Sequence, residues 1–446
     1  MPAAGPGAGP GAERWENWAG TVSAVPTAVH VPRSTEEVAA LVVRSAARGE
    51  RLRPVGSGHS FTPVAAPVDA QVRLDHLTGI LAVDRAAGTV RVGAGTPLHE
   101  LNPALERVGL AMANLGDIDR QTVAGAVATG THGTGAGLTG LADAVRGLTL
   151  VAGDGSVRRF HRDVDTDEVQ VLAVGLGAYG IVTELDLDVV PAYRLRALEQ
   201  PEPLAAVLED AESIAARHRH FEFYWFPHTD RVLTKRNDVA AEGEGVPLPR
   251  WRERLDDDLL SNVVFEGLNR LVTRRPSLAP RLNRVSARAL GRREFTDASY
   301  RVFCTRRDVR FVESEYAIPR WSLAPVLRAL DRWIETSGEY VAFPVEVRFA
   351  AADEVALSTA YGRDSAYVAI HQYHRRDASR YVAAFEAIVA EHDGRPHWGK
   401  LHSLDGAGLE RLYPRLGEAR ALRDRLDPQR VFTNPYLNRV LGEGLR

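Results

Sequence analysis

Residues 54–63 read Pro54-Val-Gly-Ser-Gly-His-Ser-Phe-Thr-Pro63. Gly56 and Gly58 flank a serine and hand the backbone to His59. Glycine tolerates positive φ and carries no Cβ, so successive N–H groups in such a turn can face a phosphate. His59 stands at the lip of the turn as a nucleophilic imidazole. Alone, Gly-x-Gly describes an ordinary strand-to-helix turn with a surface histidine equally well. What surrounds it changes that reading.

Leu52–Val55 forms a short strand into the turn, and Val31-Pro-Arg-Ser-Thr-Glu-Glu-Val predicts a helix before it. Ser34 or Thr35 caps that helix, and Val38, Leu41 and Val42 give it a buried face. Gln71–Leu74, Leu81–Asp84 and Thr89–Gly93 read as strands, and Pro97 to Val108 as a helix with Gly109 after it. From Thr122 to Gly137 nearly every residue is Gly, Ala, Thr or Val. Ordinary core packing wants larger side chains; small ones let backbone lie directly against an extended ligand. Val145–Leu150 and Val157–Phe160 pair across Gly153-Asp-Gly, and a long alternating strand ends at Pro191. A domain boundary is expected there.

The chain of 446 residues is long enough for two or three domains. Hydrophobic content of 45% with 25% charged residues is that of a globular protein. A net charge of −3 provides no global basic field for nucleic acid. The single cysteine, Cys304, excludes an internal disulfide and a Cys-rich metal site. Residues 1–16 are read as a disordered tail, its first 12 residues Ala/Gly/Pro-rich without a secretory pattern, and no apolar run is long enough to span a bilayer. A cytoplasmic location is expected. Only Lys235 and Lys400 are lysines; every other basic side chain apart from histidine is arginine. Lysine offers a compact ammonium of tunable pKa that arginine cannot.

In the second half, His220–Phe226 alternates as an aromatic strand, with Arg231–Lys235 as a partner. Trp251–Arg293 is read as helical with a solvated arginine face. Val309–Ile318, Pro344–Phe349 and Ala366–Tyr373 read as strands, and Leu323–Thr336 and Ala378–His392 as helices, an α+β layer. Glu346 and Arg348 share one strand face; they are either a salt bridge on a solvated face or a polar pair lining a cleft. Pro396-His-Trp-Gly-Lys places Lys400 beside a tryptophan. No His/Cys/Asp/Glu spacing supports a metal, and none is expected.

With these residues in view, the chain resembles the flavin-dependent aldonolactone oxidases, D-arabinono- and L-gulono-1,4-lactone oxidases, and nearly as closely the alditol oxidases. The resemblance runs from Asn17 to the C-terminus. It is carried by Gly56-Ser-Gly-His-Ser, Asn114-Leu-Gly-Asp-Ile, Thr129-Gly-Thr-His-Gly-Thr-Gly, Phe221-Glu-Phe-Tyr-Trp-Phe-Pro, Glu346-Val-Arg, Tyr361-Gly-Arg-Asp, His397-Trp-Gly-Lys and Phe432-Thr-Asn-Pro.

It implies a two-domain α+β fold of the vanillyl-alcohol-oxidase type. Residues 17–192 would bind FAD, 193–425 would cap it, and 426–446 would return to the FAD domain. The family's linkage site matches His59, implying FAD attached covalently there. Cofactor contacts are implied for Pro54, Val55, Gly56, Ser57, Gly58, His59 and Ser60, and for Gly116 and Asp117. Further contacts follow for Thr122, Gly125, Thr129, Gly130, Thr131, His132, Gly133, Ile181, Val182 and His397. Backbone donors of Val55–Ser60 and Thr129–Gly133 would hold the pyrophosphate without a cationic clamp. No Gly-x-Gly-x-x-Gly opens a helix with a ribose-binding acid after it, so a nicotinamide site is rejected.

The implied reaction oxidises a sugar-derived alcohol by hydride transfer to flavin N5, with oxygen reduced to hydrogen peroxide. Glu346, Arg348 and Lys400 match the catalytic charges, and Asp117, Glu313 and His371 the substrate contacts. The glycine matching Gly116 would leave oxygen a route. Alditol oxidases carry serine and glutamine where this chain has Asp117 and Glu313, so a lactone is preferred over a polyol. The alternatives are an alditol oxidase, a dehydrogenase using another acceptor, and, in a different class, a non-catalytic flavin-binding protein or a flavin-independent lactonase.

Overall fold

The computed structural model describes residues 14–241, 243, 265–304 and 309–443. Three sheets position the site. A small parallel sheet runs Ala28–His30, Ala70–Val72, Leu52–Pro54. The helix Thr35–Ala47 connects its two outer strands. Ser34 caps this helix, its Oγ accepting from Glu37 N–H at 3.2 Å. Val38, Leu41 and Val42 bury its inner face against Leu52, Ala70, Val151, Ile181 and Phe432.

An antiparallel five-stranded sheet lies alongside, ordered 157–161, 145–151, 181–188, 89–93, 80–84. Strand Ile181–Asp188 alternates buried and half-buried residues along its length, the period-2 signal of one covered face. Between the sheets the run of small residues folds as the short helix Val123–Ala128, capped by Thr122, and then as a loop. The smallness has a measurable reason. A Cβ on Gly133 would lie 2.2 Å from Asn114 Oδ1 and 2.3 Å from Leu115 O. The two motifs therefore pack backbone against backbone.

The third sheet has eight antiparallel strands, ordered 293–298, 194–203, 231–239, 220–225, 345–350, 365–373, 311–319, 395–396. Its two faces differ in kind. Phe221, Phe223, Trp225, Val345, Val347, Val368 and Ile370 point to one side and pack under the helices Leu204–Arg217, Leu323–Ser337 and Ser379–Ala390. Each fully buried side chain of this size contributes roughly 1.5–3 kcal/mol. The alternate residues, Glu222, Tyr224, Glu346, Arg348, His371, Glu313 and Glu315, point to the other side. Register holds them there: Glu222 pairs with Arg348, Tyr224 with Glu346, and His371 with Glu313. A slip of one residue would drive these charges under the helices, so the register is strongly specified.

Two expectations need correction. The stretch expected to be helical through Trp251–Arg293 contains two helices, Phe265–Arg274 and Ala279–Ala289, broken at Pro276, while residues 251–264 lie outside the described ones. Arg293 instead opens the edge strand Arg293–Ala298, pairing with Arg194–Pro203. That latter strand and the helix Leu204–Arg217 were not anticipated. At the C-terminus Asn434 caps the helix Pro435–Leu441, and its Nδ2 donates to the carbonyls of Pro63, Val64 and Ala66 at 3.0–3.1 Å. One side chain thereby ties the Phe432-Thr-Asn-Pro motif to the segment following the glycine turn.

Candidate active site

The glycine turn opens onto a cavity of about 620 Å³, within the range of roughly 300–1,000 Å³ that small-molecule and cofactor sites occupy. Pro54 to Ser60, Thr122, Gly125, Thr129 and Val182 line it. Gly58 has φ +70°, and a Cβ on Gly56 would lie 2.5 Å from Thr122 Oγ1, so only glycine fits at Gly56. Side-chain-free backbone at the glycines and a cavity of this size suit a dinucleotide, and FAD fits the residues present. Ile181, expected as a contact together with Val182, turns its side chain away from the cavity. Neighbours on a strand face opposite ways, and its side chain packs into the core with Val38 and Leu41.

A second, smaller space of about 60 Å³ adjoins at His59, lined by Gly116, Asp117, Thr131, His132, Arg348, His397 and Lys400 among others. His59 and Ser60 border both spaces. The half-buried Trp18 stacks on His59 with ring centres 5.7 Å apart. Burial lowers the His59 pKa to about 4, helped by Lys400 and Arg120, so its imidazole is neutral at physiological pH.

Lys400 is brought to this place by a segment distant in sequence from the glycine turn. The segment Arg395–Leu401 runs along the strand Phe311–Pro319, with Leu401 N–H donating to Glu313 O at 2.8 Å. On its other flank Gly399 O accepts from Phe61 N–H at 2.7 Å, and Trp398 O accepts from Thr62 Oγ1 at 2.9 Å. Lys400 is thus clamped between the glycine turn and the large sheet. Its ammonium contacts the Glu313 carboxylate. Burial opposes the Lys400 charge, but Glu313 and Glu315 outweigh it and raise its pKa. Burial raises the Glu313 pKa to about 8 against the pull of Lys400, with Glu315 and Glu346 pushing the same way as burial.

Arg348 is the second cation. Its Nε lies 3.0 Å from Glu222, its Nη2 lies 3.4 Å from Asp117, and it contacts Glu346 directly. Burial opposes its charge, and these three carboxylates keep it ionised. Tyr224 OH donates to Glu346 at 2.9 Å, and His371 Nε2 lies 3.7 Å from Glu313 and 4.0 Å from Glu346. Of the two sequence alternatives for Glu346 and Arg348, the solvated salt bridge is therefore excluded: both are buried.

Glu346, Arg348, Lys400, Asp117, Glu313 and His371 converge on one side of the sheet. The sequence reading missed four neighbours. Glu222 and Tyr224 were hidden in a strand noticed for its aromatics, although their alternation with Phe221, Phe223 and Trp225 was the available signal. Lys235, the other lysine, stands 3.4 Å from Glu222. Glu315 shares its face with Glu313 at i+2 and hydrogen-bonds His132 Nε2 at 2.6 Å.

His132, Glu315 and His397 bring one ligand atom each within 4.8 Å of one another. Hydrogen bonds already occupy both nitrogens of His132, one Glu315 oxygen and one His397 nitrogen. His397 Nδ1 accepts from Gly399 N–H at 3.0 Å, and His132 Nδ1 lies 2.9 Å from Gly133 O. The cluster serves as a hydrogen-bonded wall, with Tyr367 stacked on His132 at 3.6 Å.

A sequence profile for an FAD binding domain matches residues 26–161. Among solved structures, a cholesterol oxidase from Brevibacterium sterolicum superposes with TM-score 0.82 at 18% identity, covering 96% of both chains, a likeness of fold. Profile, fold and glycine cradle together define an FAD-binding protein, and the relatives that follow make it an FAD-dependent oxidoreductase acting on CH–OH groups. A second profile, D-arabinono-1,4-lactone oxidase, matches residues 185–440. The chain is 39% identical to the L-gulono-1,4-lactone dehydrogenase of Mycobacterium tuberculosis, over 96% of this chain and 99% of the relative. It is 32% identical to the L-gulonolactone oxidase of Scyliorhinus torazame, over 96% and 98%. It is 33% identical to the alditol oxidase of a Streptomyces species, over 95% and 98%. The chain belongs to the D-arabinono-1,4-lactone oxidase family. No helix among the described residues is long and apolar enough to cross a membrane.

Proposed function

We propose that the protein oxidises a hydroxyl of an aldono-1,4-lactone, of the L-gulono or D-arabinono type. Bound FAD supplies the hydride acceptor and passes the electrons on. Residues 17–192, with 426–446 returning to them, hold the cofactor, and 193–425 cap it. The grip of Asn434 on the segment after the glycine turn supports this division.

The reading rests on the pairing of each site cation with an acid. Asp117 lies beside Arg348, and Glu313 contacts Lys400. Lys400 and Arg348 stabilise negative charge developing on the substrate oxygen. Glu346, held by Arg348 and Tyr224, orients the hydroxyl and accepts its hydrogen bond. His371 sits between Glu313 and Glu346 as a further hydrogen-bonding group for substrate. Where serine and glutamine replace the two acids, as the resemblance implies for alditol oxidases, more donors are free for an open-chain polyol. Aldonolactones are therefore expected to bleach the flavin under anaerobic conditions faster than alditols of the same carbon number. A panel led by an alditol would overturn the lactone assignment.

Oxygen is the proposed acceptor, through the edge left open at Gly116. A Cβ there would stand 3.2 Å from Thr131 Cγ2 and 3.4 Å from His132 O, so one methyl group would fill the available space. The Gly116→Ala variant is expected to reduce its flavin normally but to reoxidise slowly in air, followed by stopped-flow absorbance. A second reading, a dehydrogenase with another acceptor, is favoured by the name of the 39% identical relative. Wild-type enzyme that reoxidises slowly in air and rapidly with an artificial acceptor would establish it.

A further inference from the structure

The turn at Pro54–Ser60 reads as a cradle working through backbone N–H groups, yet a cation lies at its base. Arg53 is the middle residue of the strand Leu52–Pro54 leading into the turn, is 3% exposed, and lines the same 620 Å³ cavity. Among the described residues no carboxylate pairs with it. Its Nη1 donates to Gly177 O at 2.9 Å and to Phe432 O at 3.5 Å, and its Nη2 to Leu176 O. Its Nε is buried without an acceptor. The charge that bears on it is another cation, the buried Arg423. Burial, reinforced by Arg423, lowers the Arg53 pKa to about 9.

A buried guanidinium facing only neutral carbonyls is unfavourable unless an anion arrives to compensate it. Two of the carbonyls it holds, those of Leu176 and Gly177, belong to a turn that faces the same cavity. Leu176 and Gly177 stand at φ 52° and 62°, and the left-handed conformation is strained for leucine. A Cβ on Gly177 would lie 3.2 Å from Arg53 Nη2, so the turn rests directly on the guanidinium.

We propose that Arg53 is the counter-cation for the FAD diphosphate, fixing the Leu176–Gly177 turn and placing positive potential beneath the glycine cradle. The backbone N–H groups then orient the phosphates, and Arg53 balances their charge. An arginine that merely braced the turn would matter equally to every part of the cofactor.

The two roles separate in full-length apoprotein prepared from riboflavin-starved cells and titrated calorimetrically with ADP and with adenosine. ADP carries the diphosphate and has no flavin ring to become attached at His59. Arg53→Leu is expected to weaken ADP by about 30-fold, the typical scale for losing one partner of a buried charge pair, and to leave adenosine unchanged. Undiminished ADP affinity, equal loss of both ligands, or no preference of the wild type for ADP would each overturn the proposal. Should the leucine variant not fold, Arg53→Lys keeps the charge but loses the planar fork. It is expected to retain the preference for ADP; a folded lysine variant without that preference also overturns the assignment.

Discussion

His59→Ala is expected to make the flavin wholly extractable by acid, where wild-type protein should retain it after denaturation. The imidazole borders both the cofactor cavity and the smaller space beside it, stacked on Trp18. Held neutral by burial and by the nearby Lys400 and Arg120 charges, it keeps a lone pair for bond formation to the flavin 8α-methyl carbon. The cavity that surrounds the rest of FAD does not depend on this side chain, so the variant is expected to bind the cofactor reversibly. In-gel flavin fluorescence after acid precipitation provides the readout. Fluorescence that still migrates with the denatured His59→Ala chain would assign the attachment to another residue.

Lys400→Met is expected to slow anaerobic flavin reduction by about two to three orders of magnitude while leaving flavin content unchanged. Lys400 is tied on one side to the glycine turn through the Gly399 and Trp398 carbonyls and on the other to Glu313. Methionine keeps the length of the side chain and removes the ammonium. Burial raises the Glu313 pKa to about 8 even against the pull of Lys400, and removing the ammonium raises it further, so the carboxyl left behind is neutral and the fold is spared an uncompensated charge. The loss should therefore appear in the rate rather than in the melting temperature. Stopped-flow reduction of the variant at the wild-type rate would remove Lys400 from the chemistry.

Much of the first half was legible because its signals are local. The cap at Ser34, the strand Thr89–Gly93, the alternation through Ile181–Asp188 and the glycine positions all depend on neighbours within a few residues. Gly56 is the exception: the atom that forbids a Cβ there, Thr122 Oγ1, lies far along the chain. The strand Arg194–Pro203 carries charges and two prolines among few apolar residues, so its pairing with Arg231–Val239 left little periodic trace. The aromatic strand misled in a different way. Its phenylalanines advertise the helix-packed face, while Glu222 and Tyr224 on the opposite face carry the polar contacts.

By itself the amino-acid sequence determined the class of protein, the glycine turn with its histidine, the alternation that sets Glu346 beside Arg348, and the scarcity of lysine. Backbone freedom and period-2 geometry are properties of a few consecutive residues, and they act wherever the chain goes. Tertiary structure alone decided which charges meet. Asp117, Glu222 and Glu346 surround one arginine because the sheet register and the Asn114–Asp117 segment bring them to a common buried space. Lys400 meets Glu313 because the segment carrying it is pinned between the glycine turn and the sheet edge. The electrostatic character of each group follows from that company, since burial and neighbouring charge, both set by distance in space, decide whether an ionisable side chain keeps its proton.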